Sequence, residues 1–532
     1  MPRRKSLPDA ARRDAVKNLN LEAAWAYHNG TKHSYRSVRA SAHYLDWENQ
    51  PIPFKIYPKL APIPLPQHLS SSRMPALSAI SAGAAPADTQ VVPSSQTLAE
   101  IFHLAAGITK RRSYPGGEIL FRAAACTGAL YHIDLYLVCG ELSDLAAGVY
   151  HFGPHDFALR KLRQGDYRAV LSDASGGERS IASAPAVVVS VSTYWRNAWK
   201  YQARAYRHCY WDNGTMLANL LAAAAARHVP ALVVAGFVDS EVSRLLALDT
   251  QREAALSLVA LGNVPSDAIT ASPGVEPLTF ETQPLSKREI DYPVMRAMHE
   301  ASSLESEEEI IAWRGAAEQR GGRRKDEGER PARQFPLQAL NDEEIPQDTI
   351  DEVIVRRGSA RRFSRQSITF AELSTAVDRA TRGLPADFLD PRDTSLNDLY
   401  LIVHAVDDIP PGAYFFQRGK HALELLKEGD FRREAGYLGL GQEIPADCSV
   451  DIFFLTDLNR ALERFGNRGY RAAQLEAAVM GGKIYLSAYA QRLGASGLTF
   501  FDDDVTDFFS PHAAGKSVMF LVALGKSVKQ RR

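Results

Sequence analysis

The sequence predicts two tandem α+β domains paired within one chain, and three observations carry that expectation. The chain repeats itself at one long offset, each copy sets β-branched runs around one long apolar helix, and the segment between the copies is dense in charge. Gly148-Val149-Tyr150 recurs as Gly412-Ala413-Tyr414, Gly165-Asp166-Tyr167-Arg168 as Gly429-Asp430-Phe431-Arg432, Tyr206-Arg207 as Tyr470-Arg471, and Phe237 with Asp239 as Phe501 with Asp503. All four pairs lie 264 residues apart. That period is too long for a solenoid unit and about the size of a domain.

Composition agrees. A chain of 532 residues, 45% hydrophobic and 23% charged, has material for two cores in the ordinary globular range. Lys plus Arg equals Asp plus Glu at 62 each, so no overall field favours nucleic acid or an anionic membrane. The basic ends, Pro2 to Lys5 and Lys529 to Arg532, read as solvated tails. Cys126, Cys139, Cys209 and Cys448 form no CxxC pair and no metal-ligand spacing, so no metal is assigned and a reducing cytoplasm is the simplest setting. No apolar signal segment opens the chain. The most apolar stretch, Leu217 to Val238, is broken by Arg227, His228 and Pro230, which fits a buried helix and strand rather than a membrane span.

In chain order, residues 1–70 are rich in proline and aromatics and read as an extended wrapping arm. Residues 71–270 form a first domain, 271–346 a charged linker and 347–532 a second domain. The Ser/Ala/Pro stretch from Ser70 to Ser95 reads as a loop, and Leu98 to Ala106 as a helix. Strands are expected at Asp134 to Cys139, Ala186 to Ser192 and Leu256 to Leu261, with a long helix from Arg207 to Arg227. The second copy gives strands at Leu399 to His404, Val450 to Thr456 and Val518 to Leu524, with its helix at Arg471 to Arg492. Glu300 to Glu344, with the acidic run Glu305 to Glu309, reads as solvated linker that lets the domains meet face to face.

The second copy opens with Arg356-Arg357-Gly358-Ser359-Ala360-Arg361-Arg362-Phe363. Guanidinium groups offer charge-assisted, bidentate donors suited to a dianionic phosphate. The segment resembles the Arg-Arg-x-Ser-x-Arg entry motif of the FMN-dependent nitroreductase fold, which implies that Arg356, Arg357, Ser359 and Arg361 hold the phosphate and ribityl chain of FMN. In the first copy, Arg122 to Tyr136 resembles the Arg-x-x-Pro-Ser-Ala-Gly-Ala-Leu-Tyr-Pro-x-Glu-x-Tyr signature of the SagB/ThcOx azoline-dehydrogenase branch. Ala125 stands for Pro, Cys126 for Ser and His132 for Pro. Small residues let a backbone approach a flavin closely, and the resemblance assigns Arg122, Cys126, Thr127, Gly128, Ala129 and Leu130 to the cofactor.

Trp199 to Arg207 resembles the Lys-Tyr-x-x-Arg-x-Tyr-Arg segment of the same branch, which implies Lys200 as the base and Tyr201 as the group that orients or relays the proton. Gly214 and Asn219 match the Gly-x-x-x-x-Asn of the helix that follows, and Asn219, Gly497, Leu498 and Lys516 complete the implied cofactor set. Lys516 would add charge at the phosphate.

The copies have lost different parts. Ala84, Ala85, Ala87 and Thr89 stand opposite Arg356, Arg357, Ser359 and Arg361, so the first copy has no phosphate clamp. Asp390 to Ser395 stand opposite Cys126 to Tyr131, and Arg464-Phe465 opposite Lys200-Tyr201, so the second has no covering loop and no Lys-Tyr pair. One composite site, and one FMN per chain, is the expectation. The resemblance implies two nitroreductase-like domains, each a central antiparallel or mixed sheet flanked by long helices, forming an intrachain pseudo-dimer. It also implies a SagB-type dehydrogenase that oxidises an azoline in a peptide-derived substrate, with a cyclodehydratase-type partner in RiPP biosynthesis. Two other readings stand beside it: an NAD(P)H-dependent nitro or quinone reductase, and a flavin-free binding or scaffold protein.

Overall fold

A computed structural model describes residues 16–82, 90–114, 117–265, 273–318, 333–389 and 395–528. Among them stand two seven-stranded sheets of the same design. The first runs 62–64, 158–164, 148–153, 133–139, 186–193, 253–261, 231–234. The second runs 334–336, 422–428, 412–417, 397–403, 450–456, 517–525, 494–497. Every pairing within both sheets is antiparallel, so the mixed alternative falls away. The central strands Ala186–Thr193 and Val450–Thr456 are buried along their whole length, which suits their β-branched and aromatic residues.

Each expected strand and long helix is present within a few residues of its expected ends. Strands Gly148–Gly153 and Ala158–Gln164 were not expected, because one is bounded by glycines and the other carries three basic residues. The hairpin of Ile108–Tyr114 and Gly117–Arg122 is also new. Three of the four repeat pairs hold their offset: Gly148 and Gly412 open equivalent strands, and Gly165 (φ 110°) and Gly429 (φ 154°) turn the chain after equivalent ones. The fourth does not. The helices Asp239–Leu245 and Asp502–Phe509 begin one residue out of that register, so the counterpart of Asp239 is Asp502 rather than Asp503.

The two long helices, Ala205–Ala225 and Arg468–Ala490, cross at the centre of the molecule. A Cβ on Gly214 would lie 2.5 Å from Ala478 Cβ, and one on Gly482 would lie 2.6 Å from Ala218 Cβ. Positions 214 and 478 are counterparts, as are 218 and 482. Each position therefore packs on its own copy, the signature of a two-fold interface, and one hydrophobic core spans both halves.

Three expected coil regions are more ordered than their composition suggests. The N-terminal arm holds short helices at Glu22–Gly30 and Tyr35–Ala40 and reaches the far half, where Asn18 Nδ2 donates to the Phe465 carbonyl at 3.0 Å. The Ser/Ala/Pro stretch contains helix Ala76–Ser81, buried through Ala76, Leu77, Ala79 and Ile80. The expected solvated linker contains helices Pro293–Ala301 and Glu307–Glu318, docked through Met295, Met298, Ile310 and Trp313. Four apolar anchors outweighed a charge-rich background. No helix among the described residues is long and apolar enough to cross a membrane.

Candidate active site between the two halves

A cleft of about 550 Å3 opens where the halves meet. The first half lines it with Arg122, Cys126 to Ala129, Lys200 and Tyr201, and the second with Arg357, Ser359, Arg361, Gly497 and Leu498. Residues far apart in sequence and expected to act together are thus gathered around one space.

Local structure explains their placement. Strand Ala186–Thr193 runs directly into helix Tyr194–Tyr201, and Gln202 at φ 51° stops that helix, leaving Lys200 and Tyr201 on its last turn. In the covering loop, Gly128, Ala129 and Tyr131 take φ of 65°, 55° and 48°. For the two non-glycine residues this left-handed backbone costs on the order of 1 kcal/mol each. A Cβ at Gly128 would lie 2.9 Å from the Tyr201 phenol oxygen, so only glycine lets the loop pass under that ring.

Asp212, which sequence reasoning missed, holds the loop in place. Its Oδ1 accepts from Thr127 N at 2.8 Å and Thr127 Oγ1 at 2.7 Å, and its Oδ2 faces Cys126 Sγ at 3.0 Å and His132 Nε2 at 2.8 Å. Thr215 Oγ1 adds a bond to the Ala125 carbonyl at 2.7 Å. The available signal was that Asp212 is the only acidic residue in its long helix. Its counterpart Glu476 does the same work in the other half, accepting from Ser395 Oγ, Leu396 N and Asn397 N at 2.7, 2.8 and 3.0 Å.

On the other wall, a capping box between Thr349 and Glu352 starts helix Ile350–Arg356, and Arg357 leaves it in extended backbone. The Arg357 guanidinium crosses the seam to the Ala123 carbonyl, with Nε at 3.0 Å and Nη2 at 2.9 Å. In this arrangement it ties the halves together. Ser359 Oγ meets Tyr485 Oη at 3.3 Å, and that phenol also accepts from Gly497 N. Arg361 is exposed at the cleft and has no ion pair among the described residues.

Electrostatics separate the roles of neighbouring groups. Burial, then the like charge of Arg361, pulls the Lys200 ammonium below its ordinary pKa. Burial, then the negative charge of Asp212, pushes the Tyr201 phenol up, so it stays protonated. Burial and Asp212 also push the Cys126 thiol well up.

Four expected cofactor residues lie outside the cleft. Arg356 is committed to Asp348 at 2.6 Å and to the Tyr489 carbonyl at 2.8 Å. Leu130 turns into the core. Asn219 donates to the Leu104 carbonyl at 2.9 Å from the far side of its helix, because five residues after Gly214 the helix presents a different face. Lys516 pairs with Asp398 at 2.6 Å and Tyr400 Oη at 2.9 Å, neither of which lines the cleft. The first-copy positions Ala84 to Thr89 and the second-copy positions Asp390 to Thr394 lie outside the described residues.

The remaining residues fit an FMN-like ligand. The volume falls in the range of small-molecule sites. Basic groups from Arg122, Lys200, Arg357 and Arg361 face a single lining carboxylate, Asp212, whose oxygens are already engaged. Gly128, Gly358 and Gly497 leave backbone open to a flat ring.

Residues 354–526 match the Nitroreductase family model. Over 158 residues the chain is 24% identical to the nitroreductase-like protein MJ1384 of Methanocaldococcus jannaschii, spanning 29% of this chain and 76% of that one. Over 162 residues it is 28% identical to the microcin B17-processing protein McbC of Escherichia coli, spanning 30% of this chain and 56% of McbC. This chain therefore spans little more than half of McbC's length. A crystal structure of a nitroreductase-like protein from Anabaena variabilis superposes with a TM-score of 0.74 at 23% identity, covering 95% of this chain and 99% of that one. Residues 354–526 thus carry a nitroreductase family domain, and a sheet of the same design stands on the other side of the two-fold crossing.

Proposed function

We propose that the chain is an FMN-dependent oxidoreductase with one cofactor per chain, acting as a SagB-type dehydrogenase on an azoline-type C–N or C–C bond in a peptide-derived substrate. The observation that carries this reading is the one-sidedness of the cleft: Lys200, Tyr201 and the glycine loop come from one half, and Ser359 and Arg361 from the other. Among the described residues of the reciprocal position, Arg464 and Phe465 stand where the first half has Lys200 and Tyr201. There Arg464 donates to the Ala316 carbonyl at 2.6 Å and Phe465 packs on Trp313.

FMN, when bound, supplies the hydride acceptor for the substrate carbon. Lys200 takes the neighbouring ring proton, its amine made available by burial and by Arg361. Tyr201, kept as a phenol, donates a hydrogen bond that orients the ring. Arg361 and Ser359 hold the anionic end of the cofactor, while the Asp212-anchored loop keeps water from the reacting face. The McbC similarity supports a peptide-derived substrate. An azoline must first be formed by a cyclodehydratase-type enzyme, which makes such an enzyme the expected partner. Four unpaired cysteines fit a cytoplasmic setting.

The test is flavin content and turnover of the purified full chain. About one FMN per chain, with oxidation of a thiazoline peptide and no NADH consumption, is the expected outcome. NADH-driven reduction of nitro or quinone compounds without azoline oxidation would replace the substrate assignment. Colourless protein after saturation with FMN would overturn the flavin reading and leave a scaffold role.

A further inference from the structure

The tie between the covering loop and the long helix differs in kind between the halves. Glu476 in the second half is saturated by donors: Ser395 Oγ on Oε1, and Leu396 N, Asn397 N and Asn397 Nδ2 on Oε2. Asp212 in the first half gives only Oδ1 to such donors. Its Oδ2 faces a thiol and an imidazole, and both stand where the sequence departs from the motif it resembles.

Each of the three groups is steadied from behind. His132 Nδ1 is paired with Ser192 Oγ at 2.8 Å, which leaves Nε2 pointing at Asp212. Asp212 Oδ1 is fixed by Thr127, and Cys126 Sγ accepts from Tyr131 N at 3.0 Å, a bond suited to a thiolate. One ligand atom from each of the three residues lies within 4.8 Å of the other two. This is the anatomy of a metal site, in which a second partner on each ligand fixes its orientation. Tetrahedral zinc, with bonds of about 2.0 to 2.3 Å, sets its ligand atoms roughly 3.3 to 3.7 Å apart. The close contacts here need to open by only about half an ångström to reach that spacing.

We propose that Cys126, His132 and Asp212 bind a thiophilic divalent cation of the Zn2+ class, with the cleft as its open side. Thiolate, imidazole and carboxylate together are a borderline-soft donor set that suits Zn2+ and excludes Mg2+ and Ca2+. Cys126 and Asp212 line the cleft while His132 is buried behind them, so a fourth ligand comes from the cleft. Binding displaces the thiol proton and replaces the direct His132–Asp212 contact with metal bonds. A bound cation clamps the covering loop to the helix through three metal bonds. The inference is independent of the flavin reading, since every ligand belongs to the first half.

The experiment is zinc analysis of the full chain after chelator treatment, zinc loading and removal of free metal, with flavin measured in the same samples. Wild type is expected to retain about one zinc per chain, while Cys126→Ser and His132→Gln fall to background. Ser192→Ala, which leaves all three ligands in place, is expected to weaken zinc binding by about 10- to 100-fold. Cobalt loading gives an independent readout, because a thiolate-to-cobalt absorption band appears in wild type and is absent in Cys126→Ser. A second cluster, His404, Cys448 and Asp451, is fully buried and serves as the control, so Cys448→Ser is expected to leave the zinc content unchanged. Background zinc in wild type, equal zinc in wild type and both ligand variants, or loss only in Cys448→Ser would each overturn the proposal.

Discussion

Asp239 and Asp502 stand at the same position of the two halves, and each is gripped by two arginines of the other half. Arg468 and Arg471 reach Asp239 at 2.6 Å each, and Arg204 and Arg207 reach Asp502 at 2.9 and 2.5 Å. All six side chains are buried. Desolvation makes buried ion pairs weak sources of net stability, and their best-attested use is to fix one registry. Here they fix how one half sits on the other.

Removing one carboxylate leaves two guanidinium groups buried without their partner. Asp502→Asn is therefore expected to destabilise the chain by about 3 to 5 kcal/mol in denaturant unfolding. A loss below about 1 kcal/mol would show that the arginines find other partners.

Acid should act on the same pair. Burial raises the Asp502 carboxyl, but Arg204 and Arg207 more than offset that and hold it well below its ordinary value of 3.8. A carboxyl depressed on folding contributes stability that is whole above its unfolded pKa and is lost as pH falls through its folded one. Wild-type stability is expected to drop steeply below about pH 4. Asp502→Asn should show a shallower drop, measured by thermal unfolding across the acid range.

The central helix crossing gives a test of the two-fold seam. Alanine in place of Gly214 would gain about 1 kcal/mol of helix propensity in isolation. Yet its Cβ would sit 2.5 Å from Ala478 Cβ and 2.8 Å from Val479 N, so backbone must move. Gly214→Ala is expected to destabilise by about 1 to 3 kcal/mol. A raised melting temperature would mean that the crossing has slack.

What the sequence could reveal depended on where each interaction is encoded. The β-branched run Ala186 to Thr193 and the apolar helix after it are local patterns, and they stand where expected. The pairing of Arg207 with Asp502 is not local, and a one-residue deletion hid it behind a neighbouring aspartate, Asp503. Composition misled at Ile310 and Trp313, where two buried side chains dock a helix whose first turn is acidic. In the cleft, the motifs gave Lys200, Tyr201, Ser359 and Arg361 but not Asp212, whose role comes from the loop folded over it. Arg356 and Asn219 fit their motifs in sequence, yet both are turned to backbone carbonyls elsewhere.

Two of the arginines that line the cleft, Arg357 and Arg361, should separate in function. Arg357 is bonded across the seam to the Ala123 carbonyl, whereas Arg361 has no ion pair among the described residues and faces the space. A charge-assisted hydrogen bond contributes about 1.5 to 3 kcal/mol. Arg361→Ala is thus expected to weaken FMN binding by about 10- to 100-fold without changing the melting temperature of the flavin-free protein. Arg357→Ala is expected to lower both. Equal flavin retention in wild type and Arg361→Ala would remove that residue from the clamp.

Lys200 carries the proton chemistry in the proposed reaction, so Lys200→Ala should keep bound flavin and lose about 10² to 10⁴ in turnover. The pH profile is the sharper measurement. A base works when neutral, so turnover should rise with pH through the Lys200 pKa, which burial and then Arg361 hold below the ordinary lysine value of 10.5. Removing Arg361 takes away a like charge, which raises that pKa and moves the rising limb to higher pH. Turnover of Arg361→Ala at saturating FMN, followed across the alkaline range, reads this directly. A limb that stays in place in that variant, or activity that survives in Lys200→Ala, would assign the base to another group.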